Sequence, residues 1–381
     1  MVNKLITSSV IRQLAKYFFH SNYSLMFSME QFKLTLTIKG CSGMGSANIQ
    51  HTDYSRKNKQ LIVMAVVVPE VTLSSSDGLA IPVIGMGTMS SPPVGPEITK
   101  DAIIEAIKAG YRHFDTAFVY RTEQPLGEAI AEALRLGLVK SRDELYISSK
   151  LWCSFGEKGL ILPAINMSLR NLQLDYLDMY LIHWPLKLSE EVRQMPAKKE
   201  HISPLDIKSV WEAMEECKSL GLTKGIGVSN FTCKQLEELL STAKIPPAVN
   251  QVEMNPLWQQ KKLREFCKAR GIQVTAYSPL GAFNTKWGDN RILECYVLEE
   301  IAKAKGKTTA QISLRWLYEQ EVSSVAKSFN KERMKQNLDI FDWSLTEEES
   351  NKISQLPQRK GITFASIFGL HDWLLQLDAE D

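Results

Sequence analysis

The chain has 381 residues, 44% of them apolar and 23% charged, and a net charge of +2. These values are ordinary for a globular enzyme, give no electrostatic footprint for nucleic acid, and include no apolar run near the roughly 20 residues of a membrane-spanning helix. Cys41, Cys153, Cys217, Cys233, Cys267 and Cys295 form no C-x-x-C pair and no zinc spacing, which predicts reduced thiols and no metal site.

The first 63 residues differ from the rest. They carry eight Lys/Arg against two acids, and they are rich in Ser. That composition reads as a transit-peptide-like segment or a disordered extension, and Met64-Ala-Val-Val-Val-Pro-Glu reads as an ordinary protein start. The expected division is therefore a segment over 1–63 that adds nothing to the fold and a single domain over 64–381. The expected location is cytoplasmic, or plastid or mitochondrion if the segment is a transit peptide.

From Val71 the pattern becomes regular. Two short apolar runs around Asp77-Gly78 predict a β-hairpin, and a first barrel strand follows at Val83 to Gly87. Helical periodicity is predicted at Ile98 to Ala109, Gln124 to Leu136, Leu160 to Leu172, Asp206 to Leu220, Cys233 to Leu240, Gln259 to Arg270, Leu293 to Lys305, Thr309 to Glu319 and Lys331 to Phe341. Strand-like runs alternate with these helices, and each run ends on a polar or charged residue: Tyr120, Lys150, His183, Asn230, Gln251, Tyr277 and Lys327. The alternation predicts an α/β fold, a (β/α)8 TIM barrel with an N-terminal β-hairpin, in which the strand C-termini meet on one face. Three stretches, Leu186 to Pro204, Pro279 to Arg291 and Pro357 to Asp381, exceed the usual loop length and are expected to shape a pocket on that face.

Two motifs mislead. Tyr146-Ile-Ser-Ser-Lys150 has the Tyr-x-x-x-Lys spacing of short-chain dehydrogenases, but in a strand-like run those residues lie about 13 Å apart, too far to cooperate. Gly225-x-Gly227 has no third glycine to complete a pyrophosphate-binding loop, which argues against a Rossmann dehydrogenase.

Ionisable residues closing apolar strands are costly unless paired or facing a cleft. Asp115, Tyr120, Lys150 and His183 together make a coherent proton-donating set: Asp115 can hold Lys150, and the ammonium is expected to lower the pKa of Tyr120, making it a general acid. Alone, Ser229-Asn230 would read as a helix cap before Cys233. Lys327, Ser328 and Arg333 surround a helix start at Asn330, a suitable place for a dianionic phosphate.

Asp-Thr-Ala-x-x-Tyr at 115–120, Ser-Lys-Leu-Trp at 149–152, Leu-Ile-His-Trp-Pro at 181–185, Gly-Val-Ser-Asn-Phe at 227–231 and Lys-Ser-Phe-Asn-Lys-Glu-Arg at 327–333 resemble, in order and spacing, the motifs of the aldo-keto reductases. The resemblance spans roughly residues 70–356, and its details look like the plant branch with codeinone, methylecgonone and polyketide reductases. It implies reduction of an aldehyde or ketone by hydride from C4 of NADPH, with Tyr120 as acid, His183 orienting the carbonyl, and Asp115 and Lys150 tuning Tyr120. It also implies coenzyme contacts from Gly87, Thr88, Asp115, Ser229, Asn230, Gln251, Tyr277, Ser278, Leu280, Lys327, Ser328, Phe329, Arg333, Gln336 and Asn337. Trp152, His183 and Trp184 would line the substrate pocket, and Trp373 is a further candidate. The implied substrate is a small carbonyl compound, a hydrophobic ketone of plant specialised metabolism, and the implied state is a monomer. The other reading is a catalytically idle NADPH-binding regulatory subunit on the same barrel. The loops at Cys153 to Gly159 and from Gly361 onward depart from that branch, so the substrate is not carried over.

Overall fold

The computed structural model describes residues 24–30, 33–40, 43–50, 67–192, 197–282, 285, 288–363 and 367–368. The chain divides into two compact units, Met1–Met64 and Ala65–Asp381.

The first unit contains a three-stranded antiparallel sheet: β1 (Ser24–Glu30), β2 (Lys33–Gly40) and β3 (Gly43–Gln50). The sequence reading assigned no elements there. The overlooked signal is the alternation of Leu34, Leu36 and Ile38 with Thr35 and Thr37, a period-two pattern.

The second unit begins with the expected hairpin, β4 (Glu70–Thr72) against β5 (Ala80–Pro82). Its turn residues Asp77 and Gly78 both have positive φ, at 47° and 81°, which suits Gly and is tolerated by Asp. Eight parallel strands then close into a barrel: β6 (Ile84–Gly87), β7 (His113–Asp115), β8 (Tyr146–Leu151), β9 (Leu177–Ile182), β12 (Thr223–Ser229), β13 (Val249–Glu253), β14 (Gln273–Tyr277) and β15 (Ser323–Val325). Closure comes from β15 against β6, with Ser324 opposite Ile84 and Val325 opposite Gly85. Every residue of β8, β9 and β13 is buried, as expected of strands covered on both faces.

The helices stand where periodicity placed them, to within a few residues. Pro96–Ala109 begins on Pro at a position whose N–H would lack an intrahelical partner, and it ends on Gly110 at φ 114°. Cys233–Leu240 and Thr309–Glu319 are fixed by capping boxes, Thr232 with Gln235 and Thr308 with Gln311. The predicted helix to Phe341 instead stops at Leu338, and Gln311 Nε2 reaches back to the Asp339 carbonyl oxygen at 2.9 Å. One further helix, Glu347–Ser354, follows a third box at Thr346 and Glu349.

The long stretch at Leu186 to Pro204 is partly regular. Its ends pair as an antiparallel ribbon, β10 (Leu186–Leu188) with β11 (Ile202–Pro204). Among the described residues no helix is long and apolar enough to cross a membrane.

Candidate active site

The site is assembled at the C-terminal ends of the barrel strands, where sequence reading placed it, although the placement differs in detail. Lys150 is the penultimate residue of β8, His183 directly follows β9, and Gln251 sits in the middle of β13. Tyr120 does not close a strand: β7 stops at Asp115, and Tyr120 ends a one-turn 3-10 helix, Phe118–Tyr120. Phe118 and Val119 continue the apolar pattern of the strand in sequence but form this turn instead.

Asp115 is the hub. Lys150 Nζ donates to its Oδ1 at 2.6 Å and to the Thr116 carbonyl at 2.9 Å. Its Oδ2 accepts from Ser148 Oγ at 2.8 Å and from Gln251 Nε2 at 2.9 Å. Ser148 was missed by sequence reading, yet it lies two residues before Lys150 on one strand, hence on the same face, and opposite Asp115 in register. The Lys150 side chain is only 1% exposed, so its charge depends on this pairing. Burial lowers its pKa, and the Asp115 carboxylate acts in the opposite direction.

Tyr120 Oη lies 3.2 Å from His183 Nε2, and Lys150 Nζ sits 5.0 Å from the centroid of the Tyr120 ring. The expected depression of the Tyr120 pKa is not what the surroundings produce. Burial pushes it well above the ordinary phenol value, and the Asp115 charge adds to that. The ammonium is turned to Asp115 and the Thr116 carbonyl. Burial likewise holds His183 well below its ordinary pKa, with Lys150 contributing. The pair is therefore a protonated phenol beside a neutral imidazole, and a carbonyl oxygen beside them would meet the phenol O–H, joined by an imidazole N–H in the Nε2-protonated tautomer, rather than an anion.

Ser229, Asn230, Gln251 and Tyr277 form one network. Ser229 Oγ donates to the Gln251 carbonyl at 2.7 Å, Tyr277 Oη to Asn230 Oδ1 at 2.7 Å, and Asn230 Nδ2 to the His183 carbonyl at 2.9 Å. The helix-cap reading of Ser229-Asn230 fails, because Thr232 caps that helix. Asn230 and Ser278 hold φ of 64° and 48°, a left-handed conformation that Asn adopts more readily than Ser.

At the far end, Asn330 Oδ1 accepts from Arg333 N at 2.9 Å and caps the helix Lys331–Leu338. Lys327 and Arg333 are exposed, and neither makes an ion pair among the described residues. Two unneutralised cations at a helix N-terminus fit a dianionic phosphate. Ser328 is buried and Phe329 half-buried, with Lys327 Nζ 5.4 Å from the Phe329 ring. Gln336 is exposed beside them, whereas Asn337 is buried. Gly87 closes β6, and Leu280 is half-buried. Thr88 is completely buried, its hydroxyl shared between the Asp115 carbonyl and Thr122 Oγ1 at 3.1 and 2.7 Å. Its visible role is to fix the end of β7.

Trp152 and Trp184 flank His183, with ring centroids 5.4 and 6.2 Å from the imidazole. Phe368, not anticipated from sequence, packs edge-on against Trp184 at 5.4 Å and nearly parallel to Trp152 at 6.5 Å. Trp373 lies outside the described residues.

The profile of the Aldo/keto reductase family matches residues 83–357. D-galacturonate reductase of Fragaria ananassa is 69% identical over 315 residues, 82% of this chain and 99% of that protein. The 7-acetyl-epi-neemfruitin B aldo-keto reductase of Melia azedarach is 61% identical, over 78% of this chain and 91% of that one. NADPH-dependent codeinone reductase 1-4 of Papaver somniferum is 57% identical, over 77% and 91%. Among solved structures, an aldo-keto reductase of Bombyx mori in complex with NADP superposes with a TM-score of 0.71 at 36% identity, covering 79% of this chain and 97% of that one. With its closed eight-stranded barrel, its ordered motifs and this match across most of its length, the chain belongs to the aldo/keto reductase family.

Proposed function

We propose that this NADPH-dependent carbonyl reductase uses Tyr120 to protonate the carbonyl oxygen as the alcohol forms. The observation that carries this reading is the Tyr120 Oη to His183 Nε2 contact of 3.2 Å in front of the buried Lys150 to Asp115 pair. When bound, NADPH supplies the carbonyl carbon with a hydrogen and its electron pair. Ser229, Asn230 and Gln251 would hold its carboxamide, Tyr277 would stack on its ring, and Lys327, Ser328 and Arg333 would take its 2′-phosphate. Gln251 would do so while anchored to Asp115, which ties coenzyme binding to the proton-donating set.

A high pKa at Tyr120 serves this chemistry. The phenol keeps its proton until charge builds on the substrate oxygen, and an alkoxide is a stronger base than a phenolate, so transfer is downhill. Neutral His183 orients the oxygen without competing for the proton, and Lys150 stabilises the phenolate left behind.

The walls of Trp152, Trp184 and Phe368 support a hydrophobic ketone as substrate. A second reading, a hydroxylated aldehyde acid, is favoured by the 69% identity to a D-galacturonate reductase and by Trp152 Nε1, a buried N–H with no partner among the described residues. Loss of NADPH absorbance with aryl ketones and with D-galacturonate separates the two. A lower KM for the ketones supports the first, a lower KM for D-galacturonate supports the second, and no turnover of any carbonyl supports the idle coenzyme-binding subunit. We also propose that catalysis needs only the unit after Met64; a protein starting there that lost its reductase activity would refute this.

A further inference from the structure

Glu253 closes β13, in register with Tyr277, yet takes no part in the chemistry described above. It is 4% exposed, and among the described residues no cation lies within ion-pair distance of it. Its carboxylate accepts main-chain N–H bonds instead: from Gly361 at 3.2 and 3.1 Å to its two oxygens, and from Ile362 at 2.7 Å. A buried carboxylate is costly to desolvate, and nothing in strand pairing calls for one here. What it holds is the segment that follows the last helix. That segment has three more ties just upstream, Arg359 N to the Leu257 carbonyl at 2.7 Å, Gln259 N to Gln358 Oε1 at 2.6 Å and Gln358 Nε2 to the Pro256 carbonyl at 3.3 Å. The clamp is tight at Gly361, where a Cβ would stand 2.5 Å from Glu253 Oε1. Farther along the same segment is Phe368, buried against Trp152 and Trp184.

We infer that Glu253 is a positioning residue for substrate selection: by gripping the Gly361 and Ile362 amides, it sets where Phe368 sits against the two indoles beside His183. The inference rests on the carbonyl-reductase reading and adds to it a control over which carbonyl compounds fit. Large substrates that reach Phe368 depend on the clamp, and small ones do not.

The test compares Glu253→Gln, Gly361→Ala and Phe368→Ala in the full chain, with benzophenone as a two-ring ketone and propanal as a small aldehyde. Glu253→Gln replaces one acceptor with an amide that faces the N–H groups, and Gly361→Ala displaces the carboxylate from the opposite side. Both should raise KM for benzophenone by about tenfold, the effect of losing one charge-assisted hydrogen bond, while leaving kcat, propanal turnover and the NADPH dissociation constant within about twofold. Because Glu253 acts through Phe368, Glu253→Gln should add no further change in a Phe368→Ala background. Amide exchange at Gly361 and Ile362 should accelerate in Glu253→Gln. That readout needs no turnover, so it decides the clamp even if the parent reduces neither carbonyl and the reductase reading falls. An unchanged benzophenone KM, equal losses on both substrates, a full-sized effect in the Phe368→Ala background, or unchanged exchange would each overturn the inference.

Discussion

Lys150→Met removes the cation behind Tyr120 while keeping a side chain of similar length. Lys150 Nζ lies 5.0 Å from the Tyr120 ring centroid. At an effective dielectric near 20, a unit charge at that distance stabilises a developing phenolate by about 3 kcal/mol, or about 10²-fold in rate. The Asp115 carboxylate, 2.6 Å from the same nitrogen, offsets part of this, so the expected loss in kcat is about 30- to 100-fold. The substitution also strands the Asp115 charge with only Ser148 and Gln251 as side-chain donors, which should cost about 3–5 kcal/mol of stability. Steady-state kcat at saturating NADPH reads the first effect, and urea unfolding reads the second. Adding Asp115→Asn should recover part of the stability, because the unpaired charge is gone, but not the rate. A kcat within about threefold of the parent would show that Lys150 does not stabilise the phenolate, at odds with this Coulomb estimate.

Arg333→Ala should raise the NADPH dissociation constant by about 10- to 100-fold and leave that of NADH nearly unchanged, since only the former carries the 2′-phosphate; coenzyme titration by protein fluorescence checks it. Burial holds the pKa of His113 at about 4 against an ordinary 6.5, so the unfolded chain binds the extra proton between those values. Its contribution to stability is therefore present above pH 6.5 and is lost as pH falls toward 4, by about 3 kcal/mol in total. In urea unfolding between pH 7 and pH 4.5, His113→Gln should show a shallower fall than the parent, and parallel curves would contradict the assignment.

What could be read in the sequence was local. Cys233–Leu240 and Thr309–Glu319 match the periodic stretches to the residue because an apolar stripe marks each body, whereas the Thr-x-x-Gln boxes that open them went unread, and the cap before Cys233 was sought at Ser229-Asn230. Thr346 and Glu349 make the same kind of box, but the helix they open is mostly polar and buries only Ile353, so periodicity gave no sign of it. Tyr120 was found as a site residue and misplaced on a strand, because an apolar run cannot distinguish an extended segment from a 3-10 turn. The direction of its pKa shift was beyond the sequence altogether: it depends first on burial and then on the nearby Asp115 charge. The remaining surprises are contacts between distant residues. Asp115 meets Gln251 across 136 positions, Glu253 meets Ile362 across 109, and Phe368 closes on Trp152, none of which leaves a local pattern.

The central claim is that Tyr120 delivers the proton, and Tyr120→Phe tests it most directly because it removes one oxygen atom and leaves the ring under Lys150. Single-turnover oxidation of bound NADPH by a carbonyl substrate should slow by about 10²- to 10⁴-fold, the usual contribution of a positioned acid, with coenzyme affinity unchanged. A single-turnover rate equal to that of the parent would contradict the account and assign the proton to another donor.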